Sequence, residues 1–191
     1  PPSSINMQSI LRIVTGTLAV VVGLMLIAVI GIYLLFWSSL PKYDGSLSSN
    51  HLKEELLIER DGLGVPYIKA KTRESISYGV GFCQVQDRFF QMYLQRRAAA
   101  GELSALFGPN LLEADTELRV HGFRDRAKLL LENLPENEIE VLRDFTRGVN
   151  EGLASLKTRP PEYWLINAKP EPWKPEDSIL VIYTFYLDLQ N

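Results

Sequence analysis

The stretch from Glu55 to Gly108 constrains the fold more than any other part of the chain, because two periodicities meet within it. Short apolar runs at 56–58 and 65–70 flank the tetrapeptide Asp61-Gly62-Leu63-Gly64, whose residues tolerate a positive φ. This pattern predicts two antiparallel strands joined by a tight turn. Because a two-stranded hairpin is marginal by itself, we expect it to join a larger sheet.

The residues from Glu74 onward predict one long helix, because apolar side chains recur there at spacings of three and four. The helix is apolar over so much of its circumference that we expect it to be buried. Polar side chains lie on it as well, namely Gln84, Gln86, Asp87, Arg88, Gln91, Arg96 and Arg97. Buried charges are costly unless they are paired, so these side chains are expected to have partners. Cys83, on an apolar face, is expected to be a core residue.

Helical patterns continue to the end of the sequence. They predict helices at 111–118 and 123–134, and a third that begins at Pro135 and carries acidic residues in its first turns. Pro175 begins a last helix that is apolar almost throughout from Ile179. A helix with so little polar surface is expected to be buried.

An uncharged apolar run extends from Ile13 to Trp37. At about 1.5 Å per residue, a helix of this length exceeds the roughly 30 Å hydrocarbon core of a bilayer. A cleaved signal peptide is the alternative, but its apolar region is normally about 7–15 residues long. Residues 36–41 also lack an Ala-x-Ala cleavage pattern. We therefore favour an uncleaved transmembrane helix at 13–37, preceded by an N-terminal tail at 1–12 in which Met7 is the expected start of translation.

A segment rich in Pro, Ser, Asp and Gly follows the apolar run and predicts a linker at 38–50, before a folded region at 51–191. The chain has 23 acidic and 20 basic side chains, with a formal net charge of −3. Nucleic-acid binding requires a basic surface, so this balance argues against a nucleic-acid partner.

The residues do not form a complete catalytic motif. His51 and His121 lie far apart, and no HExxH, CxxC, GxSxG or P-loop pattern occurs in the sequence. The residues themselves therefore indicate no metal ion, no cofactor and no catalytic side chain.

Six blocks carry a resemblance to a known family. In order, they are RDGLGVPYIKA, QVQDRFFQMYLQRR, GELSALFG, LLEADTELR, DFTRGVNEGL and PPEYWLINAKPEPWKPEDS. They resemble the opening of the α chain in the penicillin acylase (penicillin amidase) family of N-terminal nucleophile hydrolases. The resemblance covers about residues 40 to 191, in order and without large gaps.

The resemblance implies an α+β fold class. The chain would be a mainly helical α-chain portion whose β-hairpin joins an αββα sheet sandwich, preceded by one transmembrane helix. In this family a precursor cuts itself into α and β chains, and the new amino terminus of the β chain is the nucleophile. A free α-amine can activate its own side chain in this way. The nucleophile is therefore expected downstream of Asn191, and this chain alone is expected to be inactive.

The resemblance also implies substrate-binding residues. The last helix of the family's α chain lines the acyl pocket, and alignment on the WKPED segment places Tyr186, Leu189 and Gln190 at the pocket positions. The alternative, that these are ordinary core or helix-end residues, stays open. The family's calcium site draws a carboxylate from just past this helix. The resemblance therefore allows calcium in the full-length protein, whereas the present residues indicate none.

Six charged residues also match positions in the family motifs: Asp87, Arg88, Arg96, Arg97, Asp115 and Arg119. We interpret them as a structural polar network that holds the central helices together. A direct catalytic role is the alternative interpretation.

Two hypotheses from different classes follow. In the first, the chain is the α portion of a single-pass membrane amidohydrolase with a cytoplasmic N-terminus. Its catalytic part would lie on the periplasmic or extracellular side, with the β chain and an N-acylated small molecule as partners. In the second, it is a membrane-tethered helical interaction domain without activity. A reading frame that continues past Asn191 into a cleavable junction would separate them.

Overall fold

The computed structural model describes residues 6–189, apart from the side chains of residues 187 and 188. The chain divides into two compact units, at 1–40 and 41–191. The described part of the first unit is dominated by helix α1 (Met7–Ser39), whose first turn is capped where the backbone N–H of Gln8 donates to the Asn6 side chain. By length and composition α1 is able to cross a membrane, a property that signal sequences share.

The second unit is mainly helical and carries a small antiparallel sheet of two strands, as the sequence predicted. Its elements are β1 (Leu57–Arg60), β2 (Pro66–Lys69), α2 (Arg73–Ala100), α3 (Ser104–Phe107), α4 (Leu112–Arg119), α5 (Phe123–Asn133), α6 (Glu136–Ser155), α7 (Glu162–Leu165) and α8 (Pro175–Asp188), with a 3-10 turn at Pro109–Leu111. The single-turn helices α3 and α7 were not predicted, because one turn is too short to show a periodicity.

The hairpin turn is built by local hydrogen bonds. The Asp61 carboxylate accepts from the backbone N–H groups of Leu63 and Val65, both at 2.9 Å. Gly64 has a φ of +82°, which is accessible to glycine at little cost. The register pairs Ile58 with Ile68. These contacts are all short in sequence, which explains why the turn residues alone predicted the hairpin.

Helices α2 and α6 pack face to face at two glycines. A Cβ at Gly81 would overlap the backbone oxygen of Phe145, and a Cβ at Gly148 would overlap the backbone oxygen of Tyr78. The backbones therefore approach more closely than any residue with a side chain permits. The core beside this contact consists of Val85, Phe89, Met92, Tyr93, Val149, Tyr163 and Trp173.

Helix α8 differs from its prediction. Its first half is buried, with Ile179 and Leu180 at 5% and 0% exposure. Its second half is not, since the exposures of Ile182, Phe185 and Tyr186 are 63%, 56% and 55%. The expectation that this helix is buried throughout was therefore wrong for the present chain, because no described element covers its C-terminal half.

Candidate functional site

A groove of about 660 Å³ lies between strand β2 and helices α2 and α8. Its lining residues are Pro66, Ile68, Val80, Cys83, Gln84, Asp87, Arg88, Gln91, Met92, Gln95, Phe145, Trp173, Ser178, Val181 and Phe185. The floor and both flanks are mostly apolar, while α2 contributes most of the polar groups. A mostly apolar concave surface with a few polar groups is typical of a binding site.

Helix α2 is interrupted within this groove. Arg88 has a φ of −155° and a ψ of 34°, which are not helical values. Kinks usually occur at proline or glycine, but neither stands at or beside this position. The two residues directly before the break, Gln86 and Asp87, are contacted by a side chain from outside the helix. The sequence pattern predicted a continuous helix here, because nothing local marks the interruption.

Arg60 of β1 makes the contacts before the break. Its guanidinium lies 3.1 Å from one Asp87 carboxylate oxygen and donates to Gln86 at 3.3 Å. It also donates to the backbone oxygen of Gly64 at 2.8 Å, and the Tyr43 ring lies against it, 4.4 Å from ring centroid to guanidinium carbon. One arginine thus ties the hairpin to α2 at the point where the helix breaks.

Cys83 lines the groove from below and is only 2% exposed. Burial raises the pKa of its thiol, the positive charge of Arg60 lowers it and Asp87 raises it again, so that the net shift is upward. A thiol with a raised pKa is mostly protonated at neutral pH and is a poor nucleophile. These properties agree with the sequence-based expectation of a core residue.

Arg96 is the most deeply buried of the charged residues singled out from the sequence on α2. Its side chain lies 2.7 Å from the Asp177 carboxylate at the start of α8. It also donates to the backbone oxygens of Pro172 and Glu171 at 2.8 and 3.1 Å. The neighbouring Arg97 pairs with the Glu171 carboxylate at 3.0 Å. Arg96 and Arg97 therefore attach the segment that precedes α8 to α2.

Asp115 and Arg119 belong to a different part of the fold, at the C-terminal end of α2. The Asp115 carboxylate accepts from the backbone N–H groups of Leu103 and Ser104 at 3.0 and 2.7 Å. Burial alone would raise the pKa of Asp115, but the hydrogen bonds from Ser104 and Leu103 and the charge of Arg119 outweigh it, so its pKa is lowered. Arg119 Nε donates to the backbone oxygen of Gly101 at 2.7 Å.

The six charged residues singled out from the sequence thus belong to separate sets of contacts. Asp87 contacts the hairpin, Arg96 and Arg97 contact the segment before α8, and Asp115 and Arg119 hold the turn after α2. Arg88 is different, because its side chain has no hydrogen-bond or ion-pair partner among the described side chains, which do not include those of residues 187 and 188. It lies exposed in the groove.

Two of the three residues expected at the acyl pocket, Tyr186 and Leu189, lie at the exposed end of α8. Tyr186 and Leu189 are 55% and 83% exposed and are not among the groove-lining residues, whereas Val181 and Phe185 are. Gln190 lies outside the described residues.

The prediction that Gln84 and Gln91 have partners was wrong within the part of the chain that the structure describes. Both side chains are exposed and make no hydrogen bond to another described residue. They are exposed because they lie on the side of α2 that faces the groove. Gln84, Arg88, Gln91 and Gln95 recur at spacings of three and four in the sequence, and this pattern could have predicted a polar side of α2.

The described residues also bear on metal binding. No group of three or more His, Cys, Asp or Glu side chains within residues 6–189 is arranged to hold a metal ion. Calcium in the full-length protein stays a prediction, because the carboxylate that the resemblance implies lies downstream of Asn191.

This mainly helical fold with its small antiparallel sheet is similar to that of a penicillin G acylase. A solved structure of the thermostable penicillin G acylase from Alcaligenes faecalis matches with a TM-score of 0.65 and 26% identity, covering 71% of this chain and 73% of that chain. The family model for penicillin amidase matches residues 55–191. The chain therefore belongs to the penicillin amidase family.

Two curated relatives show how much of such a protein is present. The chain is 39% identical over 145 residues to the penicillin acylase 2 proenzyme of Pseudomonas sp. (strain SE83), covering 76% of this chain and 19% of that protein. It is 32% identical over 144 residues to the acyl-homoserine lactone acylase QuiP of Pseudomonas aeruginosa, covering 75% and 17%. The chain thus spans about a fifth of the length of these relatives.

Proposed function

We propose that this chain is the N-terminal, α-chain portion of a penicillin acylase-like amidohydrolase. The complete enzyme would hydrolyse the amide bond of an N-acylated small molecule through an acyl-enzyme intermediate. The nucleophile would be the first residue of a β chain, released from the same precursor downstream of Asn191. The match of the family model over residues 55–191 carries this proposal.

The chemistry divides between the two chains. In the downstream chain, a free α-amine would serve as the base that activates the nucleophile, and attack on the amide carbon would expel the amine and leave an acyl-enzyme. Water would then release the acid. The present chain would contribute binding surface and no catalytic side chain, so it would be inactive by itself.

The exposed surface of the hairpin supports a partner chain. Leu57 and Tyr67 lie on the face of the hairpin that α2 does not cover, and they are 46% and 56% exposed. Glu59 and Lys69 share this face, but two short strands are marginal by themselves unless further strands or another layer cover them. We propose that β1 and β2 join the αββα sandwich, whose other strands the β chain would provide.

The end of α8 supports the proposed acyl pocket. Tyr186 and Leu189 are large apolar side chains that this chain leaves uncovered. Exposed apolar side chains at one end of a helix favour contact with a partner or a ligand over a role in the core of this unit. We propose that both, with Gln190, face the acyl group once the β chain closes the cleft.

For the charged residues, we propose structural roles. Asp87, Arg96, Arg97, Asp115 and Arg119 all bond to groups of this chain that link one element to another. A side chain that is already committed in this way has little freedom to act on a substrate. We further propose that α1 anchors the enzyme in the cell membrane, with the catalytic part on the periplasmic or extracellular side.

The test is expression of the complete reading frame that contains this chain. We expect a precursor that separates into two chains, and an activity that releases the acyl group from penicillins or from N-acyl-homoserine lactones, the compounds that the relatives' names specify. Replacing the first residue of the β chain by Ala should abolish both. A reading frame that ends near Asn191, or a processed protein inactive on N-acylated compounds, would contradict the proposal.

A further inference from the structure

The side of α2 that faces the groove carries four long polar side chains in a line, namely Gln84, Arg88, Gln91 and Gln95, which we call the polar row. They are spaced by four, three and four residues, and they face the same groove from both sides of the break at Arg88. All four are exposed and line the groove. Their side chains make no hydrogen bond or ion pair to the described side chains, which do not include those of residues 187 and 188.

The polar row lies between two apolar flanks. Pro66 and Ile68 of β2 form one flank, and Val181 and Phe185 of α8 form the other. At 1.5 Å per residue, the stretch from Gln84 to Gln95 corresponds to about 16 Å of regular helix, which the break at Arg88 interrupts. At about 3.3 Å per residue, that length matches an extended segment of roughly five residues.

The chemistry of the polar row fits a polypeptide backbone with one acidic side chain. Each Gln amide offers two donors and one acceptor, which is what an extended backbone with alternating N–H and C=O groups requires. The guanidinium of Arg88 binds a carboxylate through two parallel hydrogen bonds. With one cation in the row and Asp87 beside it, the groove does not suit a polyanion such as a nucleic acid.

We propose that the polar row binds an extended, acidic segment of the chain that continues downstream of Asn191, with its carboxylate on Arg88 and its backbone on the three glutamines. The inference rests on the proposed function in one respect, that such a chain exists. The relatives support this occupant, because about four fifths of their length lies outside the matched region. Phe185 of the exposed half of α8 also lines the groove, so a segment in the groove would cover this apolar side chain as well.

A photo-cross-linking amino acid at position 91 of the full-length protein tests the inference. We expect a cross-link to one peptide downstream of Asn191 that contains Asp or Glu. The matched control places the same amino acid at Leu129, which is 61% exposed on α5 and is not among the groove-lining residues. From that position the same peptide should not be captured.

Charge reversal then tests the carboxylate. Arg88→Glu should reduce the yield of the cross-link from position 91 at least tenfold, and replacing the captured acidic residue by Arg should restore it. Arg126→Glu is the control, since this exposed arginine of α5 also has no ion pair among the described residues. It should leave the yield unchanged.

Several outcomes would overturn the inference: a cross-link from position 91 only to a second copy of α2, only to lipid, or to no peptide, or a yield insensitive to Arg88→Glu. Acylase activity measured on the same preparations separates the two proposals. An active enzyme without the cross-link would contradict only the proposal that a downstream segment binds the groove. A cross-linked but inactive protein would contradict only the proposed function. A reading frame without a downstream chain would contradict both proposals.

Discussion

Arg96 and Asp177 form an ion pair of 2.7 Å that joins the C-terminal part of α2 to the first turn of α8. Both side chains are buried, at 4% and 1% exposure. Asp177 also accepts from the backbone N–H of Lys174 at 2.9 Å, so the same carboxylate caps α8 and neutralises Arg96. The two helices are therefore docked through one charge pair rather than through apolar contact alone.

Removing one member of this pair should be strongly destabilising. Arg96→Met leaves the Asp177 carboxylate buried with less compensation, and we expect it to lower the free energy of unfolding by about 3–5 kcal/mol. The control Arg143→Met breaks exposed pairs with Glu136 and Glu140, which should matter little. Urea denaturation followed by circular dichroism measures both. Equal effects of the two variants would show that the buried pair has no special role.

Gly148→Ala should destabilise the protein although it improves helix propensity. Alanine would gain about 1 kcal/mol relative to glycine in an open helix. Here its Cβ would overlap the backbone oxygen of Tyr78, and pushing α2 and α6 apart costs about 1–3 kcal/mol or more. Gly62→Ala is the control, because a Cβ there meets no atom within 4 Å. A rise in melting temperature for Gly148→Ala would contradict the close approach of the helices.

Asp115 should make stability depend on acidic pH. Its pKa is lowered in the folded protein, so its contribution is present above the ordinary carboxyl pKa and is lost as the pH falls through the folded-state pKa. The wild-type protein should therefore be more stable than Asp115→Asn at neutral pH, and this difference in stability should disappear as the pH falls below about 4. Melting temperatures of both proteins between pH 7 and pH 3 check this. A constant difference between them would refute the assignment.

Tyr186→Ala should change acyl selectivity in the complete enzyme. A shorter side chain widens the proposed pocket and should favour longer or bulkier acyl groups, at about 1–3 kcal/mol per methylene accommodated. Gln190→Leu should instead affect substrates whose acyl end is polar. The measurement is kcat/KM over a series of acyl lengths for wild type and both variants. If every substrate changes by the same factor, these residues do not contact the acyl group.

Helix α1 should remain attached to the mature protein. Its length and apolar composition suit a membrane span, and no Ala-x-Ala pattern follows it. Mass spectrometry of the protein extracted from membranes should therefore detect peptides that precede Lys42. A mature N-terminus between Leu40 and Tyr43 would show that a signal peptide had been removed.

The sequence by itself determined the features that depend on nearby residues. Asp61 and Gly64 specify the hairpin turn through hydrogen bonds and a positive φ within five positions. Apolar periodicity specified the long helices, and the absence of charge specified α1. The motif blocks identified the family because they occur in order at family-like spacing, and the match over residues 55–191 confirmed it.

Only the tertiary structure decided which side chains meet. Helix α2 is interrupted at Arg88, directly after Gln86 and Asp87, which Arg60 contacts from 26 and 27 positions away in the sequence. No proline or glycine at the break predicts the interruption. Arg96 and Asp177 are 81 positions apart. Periodicity shows that a helix has an apolar face, but not whether the chain contains a surface to cover it. The buried first half and exposed second half of α8 therefore look alike in sequence, and packing alone distinguishes them.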